Sequence, residues 1–176
     1  MESGVREIIH LLFQSKIPFL VIGGFAVNAY RFNRATQDVD CMVASENRTV
    51  LAKSLTDRGF VEFQMDAGFS RFRHESIAYP VVDVMRVDES TWSKMWPARM
   101  ETELFGIPVQ VPALPHLIAL KLHAMKQNPE RLLKDGNDIT QLLLLNPGLV
   151  TADDLKALCE RYAPADYFET LRPYIR

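Results

Sequence analysis

Ile22-Gly-Gly-Phe-Ala-Val-Asn-Ala-Tyr-Arg-Phe-Asn-Arg-Ala-Thr-Gln-Asp-Val-Asp40 is the stretch that decides how this chain folds. The pair Gly23-Gly24 closes an apolar, strand-like run, and two carboxylates, Asp38 and Asp40, open the next one. Side chains alternate across a strand, so residues two apart share a face at roughly 6–7 Å. Val39, Cys41 and Val43 take the opposite face and are apolar enough to be buried. Two carboxylates held side by side repel each other unless a cation lies between them. Hard oxygen ligands of this kind suit Mg²⁺. The glycines remove side chains where backbone must approach something closely, and phosphate is a common partner for such a turn.

Outward from this stretch, the pattern predicts an α+β half followed by a helical half. Residues 2–15 read as a helix, with Val5, Ile8, Ile9, Leu12 and Phe13 at helical spacing. Pro18–Ile22 reads as a short buried strand, and the glycine pair turns it into a helix over about 25–32. A strand at 38–44 and a helix near 47–58, stopped by Gly59, follow. Strands are expected at Phe60–Gln64, Phe69–His74 and Val81–Val87, then a hairpin over 101–111 around Gly106. From Pro115 the pattern is helical: about 115–127, then about 129–145 as far as Asn146-Pro147-Gly148. A helix capped by Thr151 runs to about 162, and a last one covers about 165–175. The expected organisation is a mixed β-sheet core flanked by helices, residues 1–112, with a helical C-terminal part, 113–176, packed on it.

Composition sets bounds on function. The 176 residues suffice for one full core, and 48% apolar with 24% charged residues is an ordinary globular balance. A net charge of −2 argues against broad non-specific affinity for nucleic acid, though not against a local basic groove. Cys41 and Cys159 have no metal spacing and read as reduced core thiols, as in a cytoplasmic protein. The acids Glu2 and Glu7 argue against a signal peptide. No apolar run approaches the roughly 20 residues that span a bilayer, so no membrane partner is expected.

A third carboxylate is needed if two metals are to be held, and Asp83 is the best candidate. It lies inside Val81-Val-Asp-Val-Met85, where an acid is costly unless it is paired or ligates a cation. Three carboxylates on neighbouring strands can hold two Mg²⁺ about 3.5–4 Å apart, activating an attacking oxygen and neutralising a leaving pyrophosphate. Taken singly, each feature has a plainer reading. An Asp-x-Asp can be a solvated strand end, a Gly-Gly a tight turn, and Asp83 a salt-bridge partner of Arg71 or Arg86. The joint order is more specific: strand, Gly-Gly, helix, Arg-x-Thr-x-Asp-x-Asp, then an acid within a later strand.

That joint pattern resembles the DNA polymerase β-type nucleotidyltransferases, and within them the small group related to abortive-infection (AbiEii/AbiGii-type) toxins. The resemblance rests on Gly23-Gly24-x-Ala26, on Arg34-x-Thr36-x-Asp38-x-Asp40 and on Asp83. The run Leu120-Lys121-Leu122-x-Ala124 with Arg131-x-x-Lys134-Asp135-x-x-Asp138 is similar to helical motifs of that group. The resemblance implies transfer of a nucleoside monophosphate from an NTP to an acceptor with two Mg²⁺. Carried over by position, Asp38 and Asp40 would bind both metals, and Asp83 would complete one site and help deprotonate the acceptor. Gly23 and Gly24 would meet the triphosphate, and Lys121 would fall near the nucleotide. Many members carry Gly-Ser at the turn, whereas here Gly24 is followed by Phe25, which removes one phosphate contact. The acceptor would be an RNA end such as tRNA, a protein hydroxyl or a small molecule, and a cognate antitoxin would be a possible partner.

Around these residues, Arg34 can reach a phosphate or pair with Asp38, and Thr36 can fix the turn before the acids. Residues 131, 134, 135 and 138 share one helical stripe, allowing Arg131–Asp135 and Lys134–Asp138 pairs on a solvated face. The stripe can alternatively face a cleft, with Lys121 and Lys134 drawn towards phosphate. The four histidines make no metal spacing, and Trp92 and Trp96 with Met95 read as core packing. A non-catalytic regulatory member that binds nucleotide or protein is the alternative function, and a structural domain with salt-bridged acids is a third. Three acids at costly positions favour the enzyme.

Overall fold

A computed structural model of the chain describes residues 2–175. Two compact units are present. One comprises the chain up to Phe25 together with Ala35–Pro112, the other Ala26–Arg34 together with the chain from Ala113 onward.

In the first unit, α1 (Glu2–Gln14) buries Val5, Ile8, Ile9 and Leu12. Phe13 falls at the margin of that stripe and is 49% exposed. Five strands, β1 (Leu20–Val21), β2 (Val39–Ala44), β3 (Phe60–Met65), β4 (Phe69–His74) and β5 (Val82–Val87), form one sheet in the order β1-β2-β5-β4-β3. β2 and β5 run parallel and the other neighbours antiparallel, so the sheet is mixed, as expected. Central β2 is buried at every position except Asp40, as a strand covered on both faces should be.

Helix α3 (Arg48–Thr56) buries Leu51 and Leu55 and packs against α1 and β3. Trp92 lies in, and Trp96 directly follows, a helix that strand and turn signals do not reveal, α4 (Glu89–Met95), which Asp88 caps by accepting from the Thr91 amide at 2.8 Å. Trp92 and Trp96 stack at 5.1 Å, with Trp92 and Met95 buried. The hairpin β6 (Met100–Leu104) and β7 (Ile107–Val111) turns through Phe105 and Gly106, at φ +55° and +78°. Two successive positive φ values match the right-handed twist of a two-residue hairpin.

The second unit is helical. It receives the end of α2 (Gly23–Ala29) and contains α5 (Leu114–Gln127), α6 (Leu132–Leu145), α7 (Ala152–Tyr162) and α8 (Tyr167–Leu171). α5 packs on α6 and α7, and α7 on α8. Thr151 starts α7 through a capping box with Asp154, in which each residue's side chain accepts from the other's amide at 3.1 Å. The last helix is shorter than the predicted 165–175. Asp166 adopts φ +58° before it, and a 3-10 turn containing Pro173 ends it. Asn146 stops α6 and donates from Nδ2 to the Tyr30 and Leu142 carbonyls, both at 2.9 Å, which ties residues 26–34 to α6. Both cysteines are buried free thiols. Among the described residues no helix is long and apolar enough to cross a membrane.

Candidate active site

Strand register builds the site in the first unit. Asp40 on β2 is the direct neighbour of Asp83 on β5, and Asp83 is in turn the direct neighbour of Arg71 on β4. Three adjacent strands therefore present Arg71, Asp83 and Asp40 side by side on one face, at the roughly 4.8 Å spacing of a sheet. Asp38 stands one residue before β2, close enough for its charge to act on both Asp83 and Arg71.

Each member has a distinct environment. Asp83 is 8% exposed, and Arg71 donates from Nε to its Oδ1 at 2.9 Å. Burial pushes the Asp83 carboxyl up from its ordinary value; Arg71 opposes the shift and the charge of Asp38 adds to it. Hydrogen bonding to Asp83 raises the Arg71 pKa, an effect reinforced by the charges of Asp38 and Asp40. The alternative partner, Arg86, donates instead to Ser70 Oγ at 2.7 Å and to the Asp66 and Phe69 carbonyls. Phe63, at an irregularity of edge strand β3, lies beneath both Arg71 and Arg73, whose guanidinium carbons are 5.5 and 5.3 Å from its ring centroid.

The glycine pair serves these same residues. Gly23 has φ +61°, and a Cβ there would overlap the Asp40 carboxylate. A Cβ on Gly24 would overlap the Thr36 side chain. What the two glycines approach closely is thus the acid and the threonine of the motif itself. Phe25 is buried and meets Phe105 edge-on at 6.0 Å, which explains an aromatic ring after the turn.

The donor set is consistent with a divalent cation on Asp38 and Asp40, whose hard carboxylate oxygens suit Mg²⁺. Asp83 differs, because one of its oxygens already holds a guanidinium. Among the described residues no three His, Cys, Asp or Glu side chains are gathered to hold a metal ion.

The remaining candidates lie in the second unit, where the geometry departs from the sequence reading. Lys121 is buried, with Nζ 3.0 Å from Asp135 Oδ1 and 2.6 Å from Asp138 Oδ2. The Arg131–Asp135 pair forms at 2.7 Å. The Lys134–Asp138 pair is replaced: Lys134 is exposed, and Asp138 binds Lys121 and Arg34. Arg34 accordingly lies against Asp138, Nε at 2.9 Å and Nη2 at 3.1 Å, rather than Asp38. Asn28 brackets the Arg34 backbone with two further bonds of 3.1 Å. Asp135 and Asp138 are essentially inaccessible, so this stripe is an ion-pair core and not the solvated face that its spacing allows. Burial alone would raise the Asp135 carboxyl, yet Lys121 and Arg131 hold it below its ordinary value.

Sequence reasoning offered Arg71 only as one of two alternative salt-bridge partners and gave it no place in the site. The alternation in Phe69-Ser-Arg-Phe-Arg-His74 puts Arg71 and Arg73 on one face, but only register places Arg71 beside Asp83.

No protein-family model and no curated protein matches the chain. Solved structures share its fold. The antibiotic-resistance factor ANT(2'')-Ia in solution superposes with a TM-score of 0.69 over 98% of this chain and 95% of its own, at 13% identity. Its complex with adenylyl-2''-tobramycin gives 0.63 over 98% and 94%, at 16% identity. The lincosamide antibiotic adenylyltransferase LnuA with bound lincomycin gives 0.60 over 83% and 98%, at 16% identity. At these identities the likeness establishes the nucleotidyltransferase fold.

Proposed function

We propose that this protein is a metal-dependent nucleotidyltransferase that moves a nucleoside monophosphate from an NTP to an acceptor hydroxyl. The observation that carries the reading is the side-by-side placement of Asp40 and Asp83, with Asp38 just before β2, in a chain of nucleotidyltransferase fold. Asp38 and Asp40 would hold Mg²⁺, which when bound supplies charge neutralisation at the phosphates. The acceptor oxygen bonds to the α-phosphorus, the bond to pyrophosphate breaks, and the acceptor proton passes to Asp83. Its Oδ2 is the atom for this, since Oδ1 holds Arg71. Burial, which raises the Asp83 carboxyl, makes it a better proton acceptor than an exposed aspartate. The Gly23-Gly24 backbone offers the triphosphate a surface without side chains, and Thr36 braces that turn. Arg34 and Lys121 hold residues 26–34 to α5 and α6.

A small-molecule hydroxyl is the favoured acceptor, because two of the similarly folded proteins are an aminoglycoside-resistance factor seen with adenylyl-2''-tobramycin and a lincosamide adenylyltransferase. This part of the reading is an analogy of fold. The toxin-like reading has an RNA end or a protein as acceptor and an antitoxin as partner. The test is a thermal-shift titration of the four NTPs with and without Mg²⁺, followed by transfer of α-labelled NMP to acceptor panels of small molecules, RNA and proteins. A ligand at 100 times its Kd stabilises by about 2.7 kcal/mol. Mg²⁺-dependent stabilisation and labelling of a small molecule are expected. Labelling of RNA or protein alone selects the toxin-like acceptor. Binding without any transfer favours the regulatory alternative, and no NTP effect at all sinks the proposal.

A further inference from the structure

We infer that Arg71 takes the place of a second metal ion, so that the site binds one divalent cation through Asp38 and Asp40, with Asp83 outside the metal's ligands. The inference rests on the transferase reading and changes the ion count and the role of Asp83 that the sequence resemblance implies. Its basis is the row Arg71, Asp83, Asp40 on three adjacent strands, fixed by backbone register rather than by a mobile loop. A two-ion centre needs its carboxylates shared between ions about 3.5–4 Å apart. Here Asp83 Oδ1 is bound at 2.9 Å by a guanidinium, a permanently charged group whose planar fork suits carboxylate. Asp83 is buried and the Arg71 side chain only 33% exposed. The Phe63 ring lies under the guanidinium, its centroid 5.5 Å away, and helps to hold Arg71 in place. A divalent ion on Asp83 would stand directly against this charge, whereas Asp38 and Asp40 lie one strand further off. Consistently, no three acidic, histidine or cysteine side chains converge among the described residues. One metal and one guanidinium then divide the work: the ion serves the phosphates, and Arg71 keeps Asp83 ionised and aimed at the acceptor.

The test is Mn²⁺ binding followed by electron paramagnetic resonance on the full chain, with a non-hydrolysable NTP analogue present. Wild type should bind one Mn²⁺. Asp40→Asn should weaken it by about 100-fold, at least the effect of removing an outer-shell partner. Asp83→Asn and Asp83→Ala should leave affinity within about twofold, and Arg71→Lys should keep a single ion. Arg71→Gln, which frees Asp83, should admit a second ion. Two ions in wild type, loss of an ion in either Asp83 variant, or a single ion in well-folded Arg71→Gln each overturn the inference while leaving the transferase reading intact. No Mn²⁺ in wild type overturns both.

Discussion

Two clusters of aspartates, one in each unit, use the same chemistry to opposite ends. In the sheet, Asp83 is bonded by the Arg71 guanidinium, Asp40 is the register neighbour of Asp83, and Asp38 stands just before β2. In the helices, Asp135 and Asp138 are matched by three cations, Lys121, Arg131 and Arg34, and are sealed from solvent. The first stands partly open at a strand end and, in the proposed reading, takes up a further cation. The second has its acids fully matched by built-in cations and serves as a clasp joining α5, α6 and residues 26–34. The same residue type thus forms a proposed ligand set in one unit and a buried ion-pair network in the other.

The contrast can be broken most forcefully at Lys121. Lys121→Met leaves two buried carboxylates short of a partner, which costs about 3–5 kcal/mol. Urea unfolding should show this as a lower midpoint at unchanged slope, and a loss below 1 kcal/mol would mean the helical cluster is no clasp. Asp40→Asn should do the reverse. Labelled NMP transfer should fall by about 10²–10³-fold, while the melting temperature changes little, since Asn keeps the size of the side chain at this half-buried position.

Gly23→Ala tests how closely turn and acid fit. A positive φ and an overlap with Asp40 predict a loss of about 1–3 kcal/mol, with nucleotide affinity falling as Asp40 is displaced. The smallest effect is one of pH. Asp135 has a depressed carboxyl in the fold, so its contribution to stability is complete above the ordinary aspartate value and is lost as pH falls through the lower, folded value. Acid unfolding of Asp135→Asn should accordingly be less steep below about pH 4. An unchanged acid limb would mean that other carboxylates govern it.

Much of this molecule was legible residue by residue. Alternation alone put Asp38 and Asp40 on the face opposite Val39, Cys41 and Val43, and an acid in an apolar run singled out Asp83. The N-cap at Thr151 and the hairpin at Gly106 followed from local chemistry. The α4 helix was not legible, since Asp88 and the two tryptophans give no signal over so few residues. The partners of Lys121 and Arg34 were not legible, since a helical or loop position says nothing of what lies opposite it; for Arg34 the partner is Asp138, rather than the phosphate or Asp38 that were expected.

The sequence by itself determined most of the strands, helices and turns, and which acids stand at costly positions, because period and propensity act over a few neighbouring residues. Only the tertiary structure decided which cation each acid meets. Arg71 reaches Asp83 across 12 residues, and Arg34 reaches Asp138 across 104. Such pairings depend on strand order, register and helix packing, so the same aspartate becomes a candidate ligand in one place and a buried clasp in another.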